Sequence, residues 1–250
     1  VLFDILNTYE LDEVYISDTN AELMNAYQVL RDDVSQLIAL LSQYQADFIP
    51  LNESCRKKYY YEKRARYNEL KRQGILGVEM AALFIFLNRT CFNGLYRVNS
   101  KGEYNVPMGS YRNPLICDEE NLQQVSAALL KVTIVCSDYR NSSSFIDGNT
   151  FAYFDPPYRP LNATSCFTSY TENTFDDTAQ AELAEYIQHL SDRGAFIVAS
   201  NSDPKNANPE DDFFDSLYSK MKIKRISASR MINSNAGSRG KISELLISSY

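Results

Sequence analysis

The chain of 250 residues has one histidine, no tryptophan and nine glycines. The lone His189 excludes a multi-histidine metal centre and leaves little scope for a Ser-His-Asp relay, which needs an imidazole beside its nucleophile. It falls at the end of a helical pattern and reads as a surface residue. Nine glycines are few for a backbone that would cradle phosphates. No G-x-x-x-x-G-K-[ST] stretch occurs, so a P-loop nucleotide site is excluded. The five cysteines, Cys55, Cys91, Cys117, Cys136 and Cys166, are odd in number and form no C-x-x-C, so neither a disulfide framework nor a zinc site is indicated. They are expected to be mostly small core residues in a reducing compartment, and no metal is expected. The longest apolar run, Met80–Leu87, falls well short of the roughly 20 residues of a membrane span. No signal peptide is visible.

The net charge of −7 argues, at face value, against a nucleic-acid partner. Its distribution says otherwise. Residues 56–72 hold eight Lys/Arg against two Glu, residues 89–112 hold four against one, and residues 220–241 hold seven with no acid. A single basic stretch is ordinarily a solvated helix face. Three of them, interleaved with Tyr59, Tyr60, Tyr61, Tyr67, Tyr96, Tyr104 and Tyr111, point to a nucleic-acid groove.

Hydrophobic periodicity predicts a helix at Leu2–Leu6, a strand at Val14–Ser17 and, after a Thr19-Asn20 cap, a helix carrying Leu23, Tyr27, Leu30, Val34 and Leu37. Residues 34–87 read as several helices, with Ala81–Phe86 buried on all sides. Residues 93–114 read as a long loop or β-ribbon turning at Gly94, Gly102 and Gly109. Strands follow at Val132–Cys136, Phe151–Phe154, Ala195–Ser200, Lys222–Ser227 and Leu245–Tyr250, with a helix at Asp177–Ser191. Strands alternating with a helix indicate a mostly parallel α/β sheet, interrupted between residue 20 and residue 132 by an insertion.

The sharpest motif is Ala152-Tyr153-Phe154-Asp155-Pro156-Pro157-Tyr158. An apolar strand ends in an acid where parallel sheets place their ligands. Two prolines then fix φ and remove two N–H donors. Asp155 and the Pro156 carbonyl offer acceptors only, and Tyr158 offers a ring face. That set suits a planar group bearing an NH₂, such as a nucleobase amine, with stacking worth about 1–3 kcal/mol. A plain Pro-rich turn after a strand has the same composition.

This motif resembles that of amino-methyltransferases. Further stretches narrow the resemblance to DNA adenine-N6 methyltransferases of the Dam type, the D12 class. Asn88 to Tyr111 (NRTCFNGLYRVNSKGEYNVPMGSY) is similar to their recognition segment, Phe167–Thr171 to the loop after their D-P-P-Y, and Ser200-Asn201-Ser202 to the end of their next strand. Ser229–Asn233 with Arg239–Leu246 is similar to their C-terminal hairpin. The resemblance runs from residue 1 to 250. It implies a Rossmann-like, S-adenosylmethionine-dependent methyltransferase sheet over residues 1–34 and 116–250, with a mainly helical DNA target-recognition domain inserted at 35–115. It implies that Asp18 binds the ribose of S-adenosyl-L-methionine, although Asp18 alone reads equally as a helix cap. Asp138-Tyr139 stands where the family has Asp-Phe reading the cofactor's adenine. Asp155, Pro156, Pro157 and Tyr158 would hold a flipped adenine, with Asp155 also bordering the cofactor. In the recognition segment Phe92 would wedge into the base stack and Leu95 and Arg97 would touch bases. Asn93, Asn99, Tyr111 and Arg112 would contact the duplex nearby. Ser110 departs from the Arg of some members, which puts one contact in doubt.

The family's usual opening, F-x-K-W-x-G-G-K followed by a Gly-rich E-P-F-x-G-x-G loop, does not occur. Val1–Leu6 resembles the helix directly after that loop. The first strand and the glycine loop are therefore expected to lie outside these residues, and the 250 residues alone are expected to bind S-adenosylmethionine weakly or not at all. The resemblance further implies double-stranded DNA as partner, GATC as the site, a restriction–modification or mobile-element setting, a monomer, and a cytoplasmic, nucleoid-associated place in a bacterial or phage system. Two alternatives remain at this point: an amino-methyltransferase for an RNA base or a protein glutamine, and a catalytically dead DNA-binding remnant.

Overall fold

The structure, a computed structural model, describes residues 1–161, 175–229 and 241–250. The chain divides into two compact units, Val1–Tyr139 and Arg140–Tyr250.

The first unit begins with α1 (Leu2–Thr8) and β1 (Val14–Asp18), a β-rich Val-Tyr-Ile run. Asn20 caps α2 (Ala21–Asp32) by accepting the Leu23 amide at 2.9 Å. The apolar spacing from Leu23 to Leu37 is not one helix. Asp33 leaves helical geometry (φ −137°, ψ 35°), and α3 (Val34–Phe48) starts after it. Asn52 caps α4 (Glu53–Gln73), and Gly74, in the left-handed region at φ 65°, stops it. The strongly polar α4 buries only Tyr60, Tyr67 and Leu70. Against it lies α5 (Val78–Thr90), whose Ala81, Ala82, Leu83 and Phe86 are fully buried, while Phe84 and Ile85, expected to be buried with them, are only partly so. Phe86 gathers Tyr44, Phe48 and Tyr59 edge-on, with ring centroids 5.5–5.8 Å apart.

Residues 91–108 form the predicted ribbon, held by isolated bridges Cys91↔Met108 and Val98↔Tyr104. Next comes α6 (Glu119–Leu129), capped by Asp118, then β2 (Val132–Cys136), parallel to β1 with Asp18 opposite Cys136. Residues 35–115 share one core with α2: buried Asn25 grips Gly77 at both its N–H (2.7 Å) and its carbonyl (3.0 Å). The compact unit runs from Val1 through to Tyr139.

The second unit holds β3 (Phe151–Phe154), α7 (Asp177–Asp192), β4 (Phe196–Ser202), α8 (Phe213–Leu217), β5 (Lys222–Ser229) and β6 (Lys241–Ser248). Strand order is β3-β4-β6-β5. The pair β3/β4 is parallel, with α7 between them in sequence, as a parallel crossover requires. β6 runs antiparallel to both β4 and β5. The described strands thus form two sheets, with two parallel and two antiparallel pairings, where a single mostly parallel sheet was expected. Alternation with helices predicted direction correctly for β1/β2 and β3/β4. It failed for β6, which pairs antiparallel with both β4 and β5.

Cys91 and Cys117 are buried, but Cys55 on the first turn of α4 and Cys136 at the end of β2 are exposed, so only two of the four described cysteines are core residues. Cys166, Phe167–Thr171 and Arg230–Gly240 of the quoted motifs lie outside the described residues. Among the described residues, no helix is long and apolar enough to cross a membrane.

Candidate active site

β3 pairs with β4 as far as Phe154↔Ala199. Asp155 would be next in register, but Pro156 and Pro157 carry no N–H to continue the ladder. Side chains at the end of β4 take its place. Ser200 Oγ donates to Asp155 Oδ1 at 2.7 Å and accepts from Tyr153 OH at 3.0 Å. Asn201 Oδ1 accepts the Arg159 amide at 3.0 Å, and Ser202 Oγ donates to the Arg159 carbonyl at 2.6 Å. Asn201 Nδ2 donates to Gln180 Oε1 (3.1 Å), and Gln180 Nε2 donates to the Pro157 carbonyl (2.9 Å). Gln180, Asn201 and Ser202 are all buried. Beyond the turn, the Arg159 guanidinium grips Asp177 with two hydrogen bonds (2.7 and 3.0 Å), reaches Asp211 at 2.8 Å and lies over the Phe213 ring.

Asp155 and Tyr158 remain exposed. Among the described residues no donor reaches Asp155 Oδ2 or the Pro156 carbonyl. Among the described residues the turn therefore presents two open acceptors beside a phenol ring. Burial pushes the Tyr158 hydroxyl above its ordinary value. Its hydrogen bond with Ser200 opposes this, and the nearby Asp155 and Glu244 carboxylates add to it. The ring stays neutral at physiological pH.

The first unit places Asp18 and Asp138 at the ends of paired strands: Asp18 lies opposite Cys136, and the Ser137 amide donates to the Asp18 carbonyl at 3.1 Å. Asp18 does not cap α2; Asn20 does, and its amide in turn donates to Asp18 Oδ1 at 2.7 Å. Asp18 is exposed, while Asp138 and Tyr139 are half-buried on the turn after β2.

In the ribbon, Phe92 and Tyr111 are about half exposed, at 49% and 45%, as free apolar surface. Asn93 and Gly94 both adopt left-handed φ, at 55° and 61°, and Asn88 Nδ2 holds the Gly94 carbonyl at 2.9 Å. Leu95 is half-buried against the core. Arg97 is exposed with its Nε on Asn105 Oδ1 at 2.8 Å. Asn99 uses its side chain inside its own turn: Oδ1 accepts the Lys101 and Glu103 amides, and Nδ2 reaches Glu103. Arg112 is exposed, its carbonyl held by Arg56 at 2.8 Å.

The profile of the D12 class N6 adenine-specific DNA methyltransferases matches residues 1–232. The chain belongs to that family. It is 47% identical to the type II methyltransferase M.MjaIII of Methanocaldococcus jannaschii over its whole length, covering 84% of that protein. It is 37% identical to the type II methyltransferase M1.LlaDCHI of Lactococcus lactis subsp. cremoris over 94% of this chain and 78% of the relative. It is 31% identical to the DNA adenine methylase of Escherichia coli K12 over 96% of this chain and 80% of the relative.

For an adenine-specific DNA methyltransferase, the basic count along α4 is misleading. Lys71 pairs with buried Glu22 at 3.0 Å, and Arg66 with Glu79 and Glu69 at 2.8 and 2.9 Å. Lys63 sits on the Tyr44 ring at 3.9 Å, where burial lowers its affinity for its proton. Arg56 and Arg64 bind backbone carbonyls of Arg112 and Val106. Most of the stretch read as a nucleic-acid groove is thus consumed inside the unit. α4 instead backs the ribbon: Tyr60 OH donates to Val106 O at 2.9 Å, and Asn68 brackets the Tyr104 backbone at 2.8 and 3.1 Å.

Sequence reasoning missed Gln180 altogether. The signal was present. Gln180 stands on the same face of α7 as buried Leu183, Ala184 and Ile187, and a buried amide in an apolar stripe needs partners at both ends.

Proposed function

We propose that the protein transfers the methyl group of S-adenosylmethionine to N6 of an adenine flipped out of duplex DNA, within a short site for which GATC is the leading candidate. The observation that carries this reading is the pair of open acceptors, Asp155 Oδ2 and the Pro156 carbonyl, beside the exposed Tyr158 ring. An amine with two N–H groups satisfies both acceptors at once. Holding both hydrogens favours withdrawal of the nitrogen lone pair from ring conjugation and aims it outward. Tyr158 would supply the stacking face, and Asp155 Oδ2 would accept the proton that N6 gives up on methylation. This is chemistry of alignment more than of a strong base, and exposed His189 has no part in it.

The residues of the first unit fit the cofactor. Asp18 has one oxygen on the Asn20 amide and one with no described donor, which suits a ribose diol. Asp138 and Tyr139, two and three residues past the strand partner of Asp18, suit an adenine edge and face. S-adenosylmethionine, when bound, supplies an electrophilic methyl carbon. We assign DNA reading to the ribbon: Phe92 as the wedge, Arg97 on a guanine edge through its unengaged Nη1, with Leu95, Tyr111 and Arg112 around them. Asn93 and Asn99 act by shaping the ribbon. The Rossmann-like sheet with an inserted recognition stretch at 35–115, action as a monomer and the choice of GATC rest on the resemblance of the quoted motifs.

The test is labelled S-adenosylmethionine with full-length protein and duplexes with or without GATC. Label should enter N6 of adenine in the site-bearing duplex, and Asp155→Ala should abolish incorporation while duplex binding persists. Binding of both cofactor and DNA with no transfer to any adenine would sink the reading.

A further inference from the structure

The acid-Pro-Pro-Tyr turn sits where the backbone ladder stops, yet its hydrogen bonds to β4 and α7 have only one possible polarity. Asn201 Oδ1 is taken by two amides, those of Arg159 (3.0 Å) and Ser202 (2.9 Å). Its Nδ2 must therefore face Gln180, which turns Gln180 Oε1 toward Asn201 (3.1 Å) and Nε2 toward the Pro157 carbonyl (2.9 Å). Neither amide can flip without leaving a buried donor facing a donor. Ser200 is constrained in the same way. A carboxylate oxygen can only accept, so the single Ser200 proton goes to Asp155 Oδ1, in competition with the Tyr158 oxygen, while a Ser200 lone pair receives Tyr153 OH.

We propose that Ser200 and Gln180 are positioning residues for methyl transfer. Ser200 sets the rotation of the Asp155 carboxylate, so that Oδ2 is the oxygen left for the amine. Gln180 engages the Pro157 carbonyl, so that the Pro156 carbonyl is the one left open. The proposal rests on the reading of Asp155–Tyr158 as the amine-holding turn. A carboxylate torsion is broad and roughly two-fold when nothing holds it. The reaction has no strong base to compensate for a misdirected acceptor, and small displacements in aligned reactions are costly.

The experiment compares full-length wild type, Ser200→Ala, Ser200→Thr and Gln180→Glu in single-turnover transfer from labelled S-adenosylmethionine. Binding to a duplex with 2-aminopurine at the target position reports base flipping in parallel. Gln180→Glu keeps the acceptor for Asn201 and removes the donor to Pro157. Expected for Ser200→Ala and Gln180→Glu is a fall in transfer rate of about tenfold or more, with DNA affinity and 2-aminopurine signal within about twofold of wild type. Ser200→Thr, which keeps the hydroxyl, should recover the rate to within about threefold. Wild-type rates in both Ser200→Ala and Gln180→Glu overturn the proposal. So does equal loss in Ser200→Ala and Ser200→Thr, or loss that only tracks the folded fraction seen by circular dichroism. An inactive wild type overturns the underlying reading and this proposal with it; an active wild type with unaffected variants overturns this proposal alone.

Discussion

Gly109 is required by its neighbours. A Cβ there would lie 2.7 Å from the Cys91 carbonyl oxygen and 2.7 Å from the Tyr111 ring. The exposed ring can swing away, but the carbonyl cannot, because it belongs to the residue bridged to Met108. Gly109→Ala should cost about 1–3 kcal/mol through overpacking and displace Tyr111, read as a lower denaturant midpoint with weakened duplex binding. Gly94 and Gly102, at φ 61° and 73°, are needed for the different reason that L residues avoid those angles. Arg97 supports a second prediction at this scale. Its Nε is held by Asn105, which limits where the guanidinium points. Arg97→Ala should relax discrimination at one base pair by about 1–3 kcal/mol, measured by transfer to single-substitution duplexes. Uniform weakening across all duplexes would make it a phosphate contact instead.

At the scale of elements, the contact between α4 and the ribbon is the one most open to measurement. Tyr60→Phe removes the donor to Val106 O from a buried site, while Arg64 still donates to that carbonyl at 3.2 Å. The acceptor is not orphaned, so the expected loss is about 1 kcal/mol in urea unfolding, not the larger cost of a buried unpaired group. Elements whose local pattern agrees with their environment were legible from the residues: β2 and β3 at the predicted bounds, α7 to within one residue, α5 from its all-apolar surface. α6 was not, because its apolar positions Leu122, Val125 and Leu129 are sparse among Glu and Gln, although Asp118 as cap was there to be read. β6 was placed late, at Leu245–Tyr250 instead of Lys241–Ser248, since its first residues are polar and are ordered by pairing with β5. Of the candidate site, the Asp155–Tyr158 motif could be read from the order of its residues after an apolar strand. The clamp beneath it could not, because Gln180 meets Asn201 and Pro157 only once α7 is folded beside β4.

At the scale of the whole molecule, several of the described charged residues are held in pairs. Asp211 and Asp215 are held below the ordinary carboxylate value of 3.8, first by hydrogen bonds from Arg159 and Arg225 respectively. Folding thus weakens their hold on a proton. The stability they contribute is complete above 3.8 and is lost as pH falls through their depressed values. Urea unfolding should show stability declining below that point, and Asp211→Asn should flatten the decline. The same pairing bears on DNA. Each cation that neutralises a phosphate adds about −0.9 to the slope of log affinity against log salt. Arg66 and Lys71 already face carboxylates, so Arg66→Ala and Lys71→Ala should leave that slope unchanged while lowering stability. A shallower slope in either would place its charge on the DNA.

The ribbon keeps its mounting and its outward surface on different residues. Val98, Tyr104 and Val106 are buried and Tyr104 and Val106 are bonded to α4, while Phe92, Arg97, Tyr111 and Arg112 face outward. Substitutions at the outward positions leave the mounting bonds intact. If the ribbon reads DNA as proposed, such a segment is evolvable: a sequence preference carried on its outward residues can drift or be selected anew without the protein passing through an unfolded intermediate genotype.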